Sequence, residues 1–368
     1  YNHIIMPLAA RRDKIIQIEW GIKDFEHRFG RYPEGMWLAE TAADSETLEI
    51  LADYGIKYTV LSPYQAHSFF ENNRWCNIHS GNFDVTIPYK LHLKNNKSII
   101  IVFYEAHLSK AAAFENILEN GDNFMNAINS KFKNNFPHNQ LITMATDGET
   151  YGHHKKFGEL ALSYVFNNLE NSKKIKVCNI SYYLSKNNYF KEIKIHEKSS
   201  WSCAHGVGRW SDNCGCKIDN SVRWNQKWRF HLRNAMNSLK YELDIIYDSE
   251  LKKYVTDEKT KHQILSDYIL LANNHNLTEK NVIRFLKNFN LEIDFRDKII
   301  SLLEMQKYSQ YMYTSCGWFF DEISGLEATQ IIKYAYYAIE IAKKFNKNLE
   351  PFFINCLRPA ESNLPEYK

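Results

Sequence analysis

The chain has 368 residues, enough for two structural units and a large core. Its 46 basic and 43 acidic residues leave a net charge of +3, too balanced to point to nucleic acid or an anionic membrane as a partner. There is no apolar run long enough to cross a bilayer and no leader-like segment, which makes the cytoplasm the default expectation. Seven cysteines in a chain of this length do not suggest a disulfide framework. The 14% aromatic content suits either a large core or surfaces that stack on sugar rings.

In chain order, Ile15, Ile18, Ile22, Phe25 and Phe29 recur at spacings of three and four and predict a helix over 13–29, stopped by Gly30 and Pro33. Gly35-Met36-Trp37-Leu38-Ala39-Glu40 reads as a short buried strand ending in a carboxylate, with Trp37 a candidate sugar platform but expected rather in the core. A helix capped by Asp44 or Ser45 and ended at Gly55 follows, then a strand over 58–61. This strand–helix–strand rhythm predicts parallel β/α units. Alternation over 83–93, a turn at Asn95-Asn96, a buried strand over 98–104 and a helix over 123–132 come next. Residues 141–146 read as another central strand, also ending in a carboxylate, Asp147, and a helix carrying Phe157, Leu160, Ala161, Tyr164 and Val165 follows. From about 221 the pattern is helical: 228–246, 264–273, 278–288, 297–313 and 326–345. The expected division is therefore an α/β part over 1–220 and a helical part over 221–368.

Two acids at the C-terminal ends of strands suit hydrolysis of a glycosidic bond with retention, which needs two carboxyl groups about 5 Å apart. From spacing alone, each acid would equally well cap the helix that follows it. Glu105 and His107 follow the strand over 98–104 and are further candidates to face the same end. The motif Gly35-Met36-Trp37-Leu38-Ala39-Glu40-Thr41 resembles the nucleophile motif of glycoside hydrolase family 57. Ala145-Thr146-Asp147-Gly148-Glu149-Thr150-Tyr151-Gly152-His153 resembles its acid/base motif, and His3-Ile4-Ile5-Met6-Pro7-Leu8 its histidine-bearing motif. Trp201-Ser202-Cys203-Ala204-His205-Gly206 and the stretch from Tyr313 to Asp321 resemble a bacterial, amylase-like subgroup with a C-terminal domain of unknown function.

The resemblance implies an incomplete (β/α)7 barrel with an all-helical domain packed at its mouth, and retaining chemistry on α-glucans without metal or cofactor. It implies Glu40 as nucleophile and Asp147 as acid/base, His3 on the sugar, and Glu149 and His153 supporting the acid/base loop. The mechanism requires Glu40 ionised and Asp147 protonated at the start, the latter favoured by burial or by the Glu40 charge. The family's first motif, of His-Gln-Pro type, does not occur here and is expected upstream of Tyr1, so the chain reads as a fragment lacking the first barrel unit. Activity of the fragment in isolation does not follow, even if the parent is an enzyme. A glucan-binding or regulatory protein that keeps the fold is the alternative.

Three further groups carry two readings each. Cys203, His205, Cys214 and Cys216 form a Cys/His cluster, but the spacing lacks the usual C-x2-C pair. An ordered loop is the expectation and a structural metal the lesser alternative. Trp201 and His205 there would stack on or hydrogen-bond sugar. Trp318 and Asp321 suit either sugar contact or a core Trp with a helix-capping Asp.

Overall fold

The computed structural model describes residues 1–79, 81–273 and 278–367. The fold is mixed α/β and rich in helix, and the chain forms two compact units, Glu34–Trp201 and Tyr1–Pro33 with Ser202–Lys368. Among the described residues no helix is long and apolar enough to cross a membrane.

In chain order the first element is α1 (Arg11–Phe29) of the split unit. Its C-terminus is closed by Gly30 in the left-handed conformation at φ 65°, as a glycine C-cap requires. Of the expected stripe Ile18 and Ile22 are buried, Ile15 and Phe25 are half-buried and Phe29 is exposed, and Ile16, Trp20 and the polar Asp13 and Gln17 are inside as well. The reason is a buried polar network. Gln310 donates to Asp13, and the Lys240 ammonium stands 3.3 Å from it, so the polar face of the helix is satisfied within the protein. Trp20 Nε1 also donates to the Leu265 carbonyl at 3.0 Å. These contacts join residues 1–33 to the helical part, so the compact units divide the chain differently from the expected boundary at 220.

The continuous unit carries α2 (Ser45–Asp53), β1 (Tyr58–Leu61), β2 (Ala66–Glu71), β3 (Arg74–Asn77), β4 (Tyr89–His92), β5 (Ser98–Phe103), α3 (Ala106–Phe114), α4 (Gly121–Ser130), α5 (Gly158–Glu170), α6 (Ile180–Lys186) and β6 (Lys191–Ile195). Asp44 caps α2 by accepting from the Thr47 amide, as expected of an acid at that position. The six strands make one mixed sheet in the order β1-β5-β4-β6-β2-β3. Only β1–β5 and β4–β6 pair in parallel. The sequence rhythm thus holds around β1 and β5, and the sheet beyond is largely antiparallel. Asn72 and Asn73, both at positive φ, turn the β2–β3 hairpin.

Two expected strands are not strands. Gly35 forms a single parallel bridge to Tyr58, Met36 N donates to the Tyr58 carbonyl, and the chain then leaves the sheet edge. Residues 141–146 form no strand. They bond singly, Leu141 N to the Thr86 carbonyl and Glu105 N to the Thr143 carbonyl. Their alternation survives, because Ile142 and Met144 pack on the core of α3, α4 and α5 while Leu141 and Ala145 pack on Val60, Val102 and Tyr104. Apolar residues needed on two sides give the period of a strand without its ladder.

Gly35 makes a close approach: a Cβ there would stand 2.3 Å from the Tyr58 ring. Gly35→Ala is expected to destabilise the fold by about 1–3 kcal/mol through overpacking, read as a lower midpoint in urea unfolding at unchanged slope.

The split unit continues through α7 (Lys227–Leu251), α8 (Glu258–Asn273), α9 (Glu279–Asn288), α10 (Arg296–Tyr311), α11 (Cys316–Phe319), α12 (Leu326–Lys343) and α13 (Glu350–Leu357). Packing joins α1 to α8, α10 to α12 and α7, and α7 to α13. The long amphipathic runs predict all five of the longer helices; the short α11 and α13 carry too few turns to show a period.

Candidate active site

Past the Tyr58 bridge the chain turns sharply at Ala39–Thr41, with Glu40 at φ 56° and Thr41 at φ 51°. Two consecutive side-chain-bearing residues in the left-handed region cost about 1–2 kcal/mol each, so the surroundings must hold them. Gln65, almost fully buried, does so. Its amide oxygen accepts from Thr41 Oγ1 at 2.7 Å and from Ser62 N at 3.0 Å. Its amide nitrogen donates to the carbonyls of Thr41 at 2.9 Å and Ser199 at 3.0 Å. An antiparallel bridge between Ala43 and Ser199 continues the clamp. Trp201 completes it: its backbone N donates to the Glu40 carbonyl at 3.1 Å and its indole Nε1 to Glu40 Oε2 at 2.8 Å. Glu40 is half-buried, and strained backbone held by several independent bonds is a feature of reactive sites.

Asp147 follows the segment 141–146 and is exposed. Its carbonyl accepts from Thr150 N at 3.1 Å in a short 3-10 turn, Gly148–Thr150. Ala145 N, two residues earlier, donates to Ser109 Oγ at 3.1 Å. The supports of the two acids meet on one apolar patch. Ala145, from the Asp147 segment, and Trp201, which holds Glu40, both pack on Val60, Val102 and Tyr104 at the C-terminal ends of β1 and β5. Burial of Asp147, one of the two expected causes favouring its neutral form, is not seen.

Trp37 is 45% exposed, not in the core, because the chain has already left the sheet there. Its ring lies edge-on to Trp201 at 5.1 Å, and Trp201 edge-on to Tyr104 at 6.1 Å. Burial pushes the Tyr104 phenol above its ordinary value, against a hydrogen bond with Ser62 that lowers it, so the ring is neutral at physiological pH. Glu105 serves the scaffold instead of facing a sugar. It caps α3 through the Leu108 amide, and Lys131 Nζ lies 3.0 Å from its other oxygen. His107 is exposed in the first turn of α3. Glu149 and His153 are exposed in the turns after Asp147, where the Glu149 carbonyl accepts from His154 N at 2.8 Å and Gly152 adopts φ 103°.

The other candidates belong to the split unit. His3, at φ 59°, places Nδ1 2.6 Å from Ser315 Oγ, and its carbonyl accepts from Ser315 N. Trp318 is fully buried, stacked on Trp228 with the Arg233 guanidinium 4.1 Å from its ring. Asp321 is buried and accepts from Ile218 N and Asp219 N. Trp318 is thus a core residue, whereas Asp321 holds residues 218–219 and caps no helix among the described residues. His205 lies beside Cys216, with Nδ1 3.5 Å from Sγ. A cavity of about 430 Å³ in this unit, bordered by Asp13, Arg233, Lys240, Asp244 and Tyr313, includes none of the candidate residues.

Sequence reasoning missed Gln65 and the bond from Trp201 to Glu40. A glutamine two residues after Pro63 carries no motif signal, and Trp201 stands 161 residues from its partner.

Residues 1–196, more than half of the chain, match glycosyl hydrolase family 57. The chain belongs to that family. Residues 224–368 match a domain of unknown function (DUF3536). A 65-residue stretch is 37% identical to α-amylase 1 of Dictyoglomus thermophilum, covering 18% of this chain and 9% of that protein. Among solved structures, an exo-type maltose-forming amylase from Pyrococcus sp. ST04 superposes with a TM-score of 0.78 at 14% identity, over 96% of this chain and 64% of that one. A family 57 branching enzyme from Thermococcus kodakaraensis gives 0.58 at 12% identity, over 97% and 68%. A 4-α-glucanotransferase from Thermococcus litoralis gives 0.51 at 14%, over 93% and 45%. At such identities the likeness is one of fold. The family 57 match covers both acids and Gln65, and ends before Ser199 and Trp201.

Proposed function

We propose that this family 57 chain carries the catalytic pair of a retaining glycosidase or transglycosylase acting on α-glucans. The observation that carries the reading is that the Asp147 segment, through Ala145, and Trp201, which bonds Glu40, meet on one apolar patch at the ends of β1 and β5. Family membership supports it, as do the names of the structural neighbours, which include an amylase, a branching enzyme and a glucanotransferase. The parallel run through Gly35, β1 and β5, to which residues 141–146 bond at Glu105, is read as part of an incomplete (β/α)7 barrel, whose reactive groups gather at the C-terminal strand ends.

A Glu40 carboxylate oxygen attacks the anomeric carbon as the bond to the leaving oxygen breaks, and Asp147 gives that oxygen its proton. Asp147 then takes a proton from water or a sugar hydroxyl, which attacks the same carbon and releases Glu40. The Trp201 N–H, already on Glu40, keeps one oxygen oriented so that the other faces the sugar. Trp37, exposed beside Trp201, offers a stacking face; Glu149 and His153 support the Asp147 turn.

The test uses a protein containing the whole chain and maltooligosaccharides of defined length, with product anomers followed by NMR as they form. Retention is expected, with a bell-shaped pH–rate profile showing two macroscopic ionisations. Inverted product would remove the covalent step. Tight glucan binding without turnover would favour the binding-protein reading.

A further inference from the structure

The geometry points to a structural zinc site made by Cys203, His205, Cys214 and Cys216. Their four ligand atoms all lie within 4.8 Å of one another. Cys203 Sγ is 4.0 Å from Cys214 Sγ and 3.9 Å from Cys216 Sγ, and Cys216 Sγ is 3.5 Å from His205 Nδ1. With Zn–S near 2.3 Å and Zn–N near 2.0 Å, a regular tetrahedron separates two sulfurs by about 3.8 Å and a sulfur from a nitrogen by about 3.5 Å. These three edges match both lengths, and the other three are no longer than 4.8 Å. They are about twice a disulfide bond, and all three cysteines are free thiols.

The loop is built for this convergence. Gly215, at φ 82°, turns the chain between Cys214 and Cys216 so that the x1 spacing, unfavourable in sequence terms, still brings both sulfurs together. Gly206 follows His205 at φ 75°. A Cβ at Gly208 would stand 3.1 Å from Cys214 Cβ, tighter than ordinary contact. Charge is matched as well. Zinc with three thiolates and a neutral imidazole is a net monoanion, and Arg229, its side chain fully buried, points Nη1 at Cys214 Sγ from 3.9 Å. Binding releases the three thiol protons to solvent. Four protein ligands leave no open position, which marks a structural rather than a catalytic site, and a thiolate-rich tetrahedron favours zinc over harder cations. The ion would fasten the 203–216 loop, which Arg229 and the Arg233 bonds to the Trp210 carbonyl already tie to α7.

The test is elemental analysis of the whole chain, expressed with zinc in the medium and purified reduced without chelator. About one zinc per chain is expected to survive gel filtration. Cobalt(II) in its place should show the visible bands of a tetrahedral thiolate centre, and chelation should lower Tm reversibly. Cys216→Ser should lose the metal at least about tenfold more readily, whereas Cys178→Ser, an exposed thiol elsewhere, should not. Zinc below about a tenth per chain in unmutated reduced protein, a stoichiometric iron content, or unchanged zinc in Cys216→Ser would overturn the assignment; the first two measurements need no variant to fold.

Discussion

Glu40→Gln is expected to lower kcat on maltooligosaccharides by at least about a thousandfold, roughly 4 kcal/mol of barrier, with thermal stability nearly unchanged. The amide has the shape of the carboxylate, and its oxygen still accepts the indole N–H of Trp201 that now reaches Glu40 Oε2. The left-handed turn is held through backbone groups and Thr41, which the substitution leaves alone. What disappears is the charge and nucleophilicity needed to form a covalent glycosyl bond. Binding contacts made equally in ground and transition states persist, so KM should move little. A variant keeping more than a tenth of the parent kcat would remove Glu40 from the reaction.

Asp147→Ala should separate substrates by their leaving groups. A sugar leaving oxygen needs its proton, so turnover of maltotriose should fall about 10²- to 10⁴-fold. An aryl maltoside with an acidic phenol leaves without that help, so its first step should be nearly spared and the covalent intermediate should accumulate. Added azide, which needs no general base, should then restore turnover and yield a glycosyl azide of retained configuration. The measurement is the ratio of kcat/KM for the two substrates in parent and variant. An equal loss on both would assign Asp147 a positioning role only.

Much of the scaffold is legible in the sequence because burial imposes a period. β1 and β5 stand where the apolar runs put them, and α2 begins at the Asp44 cap. The run 141–146 shows the limit of the same logic. Its alternation is real, but it reports cores on both sides, Ile142 and Met144 to one and Leu141 and Ala145 to the other, not a hydrogen-bonded ladder. Periodicity measures burial and is silent on pairing. Trp37 departs from expectation for a related reason: an apolar residue inside an apolar run looks buried until the backbone leaves the sheet edge, and that departure is made by the turn at Glu40 and Thr41. Glu105 reads in sequence as a barrel-mouth ligand because it ends a strand, but the following helix needs a cap and Lys131 a counter-ion. The pairing of Trp201 with Glu40, and of Gln65 with Thr41 and Ser199, arises only from tertiary structure.

Gln65 uses both faces of its amide on that turn. Glutamate would keep the acceptors, lose both donors and bury a charge, and an aliphatic residue would lose every bond. No single replacement reproduces the set. A lineage that drifted at this position would retain both acids in its motifs and still have a slack, unproductive turn beneath one of them. Among descendants of such a gene, the mark of lapsed catalysis would then stand at 65, where a search for the two carboxylates would never look.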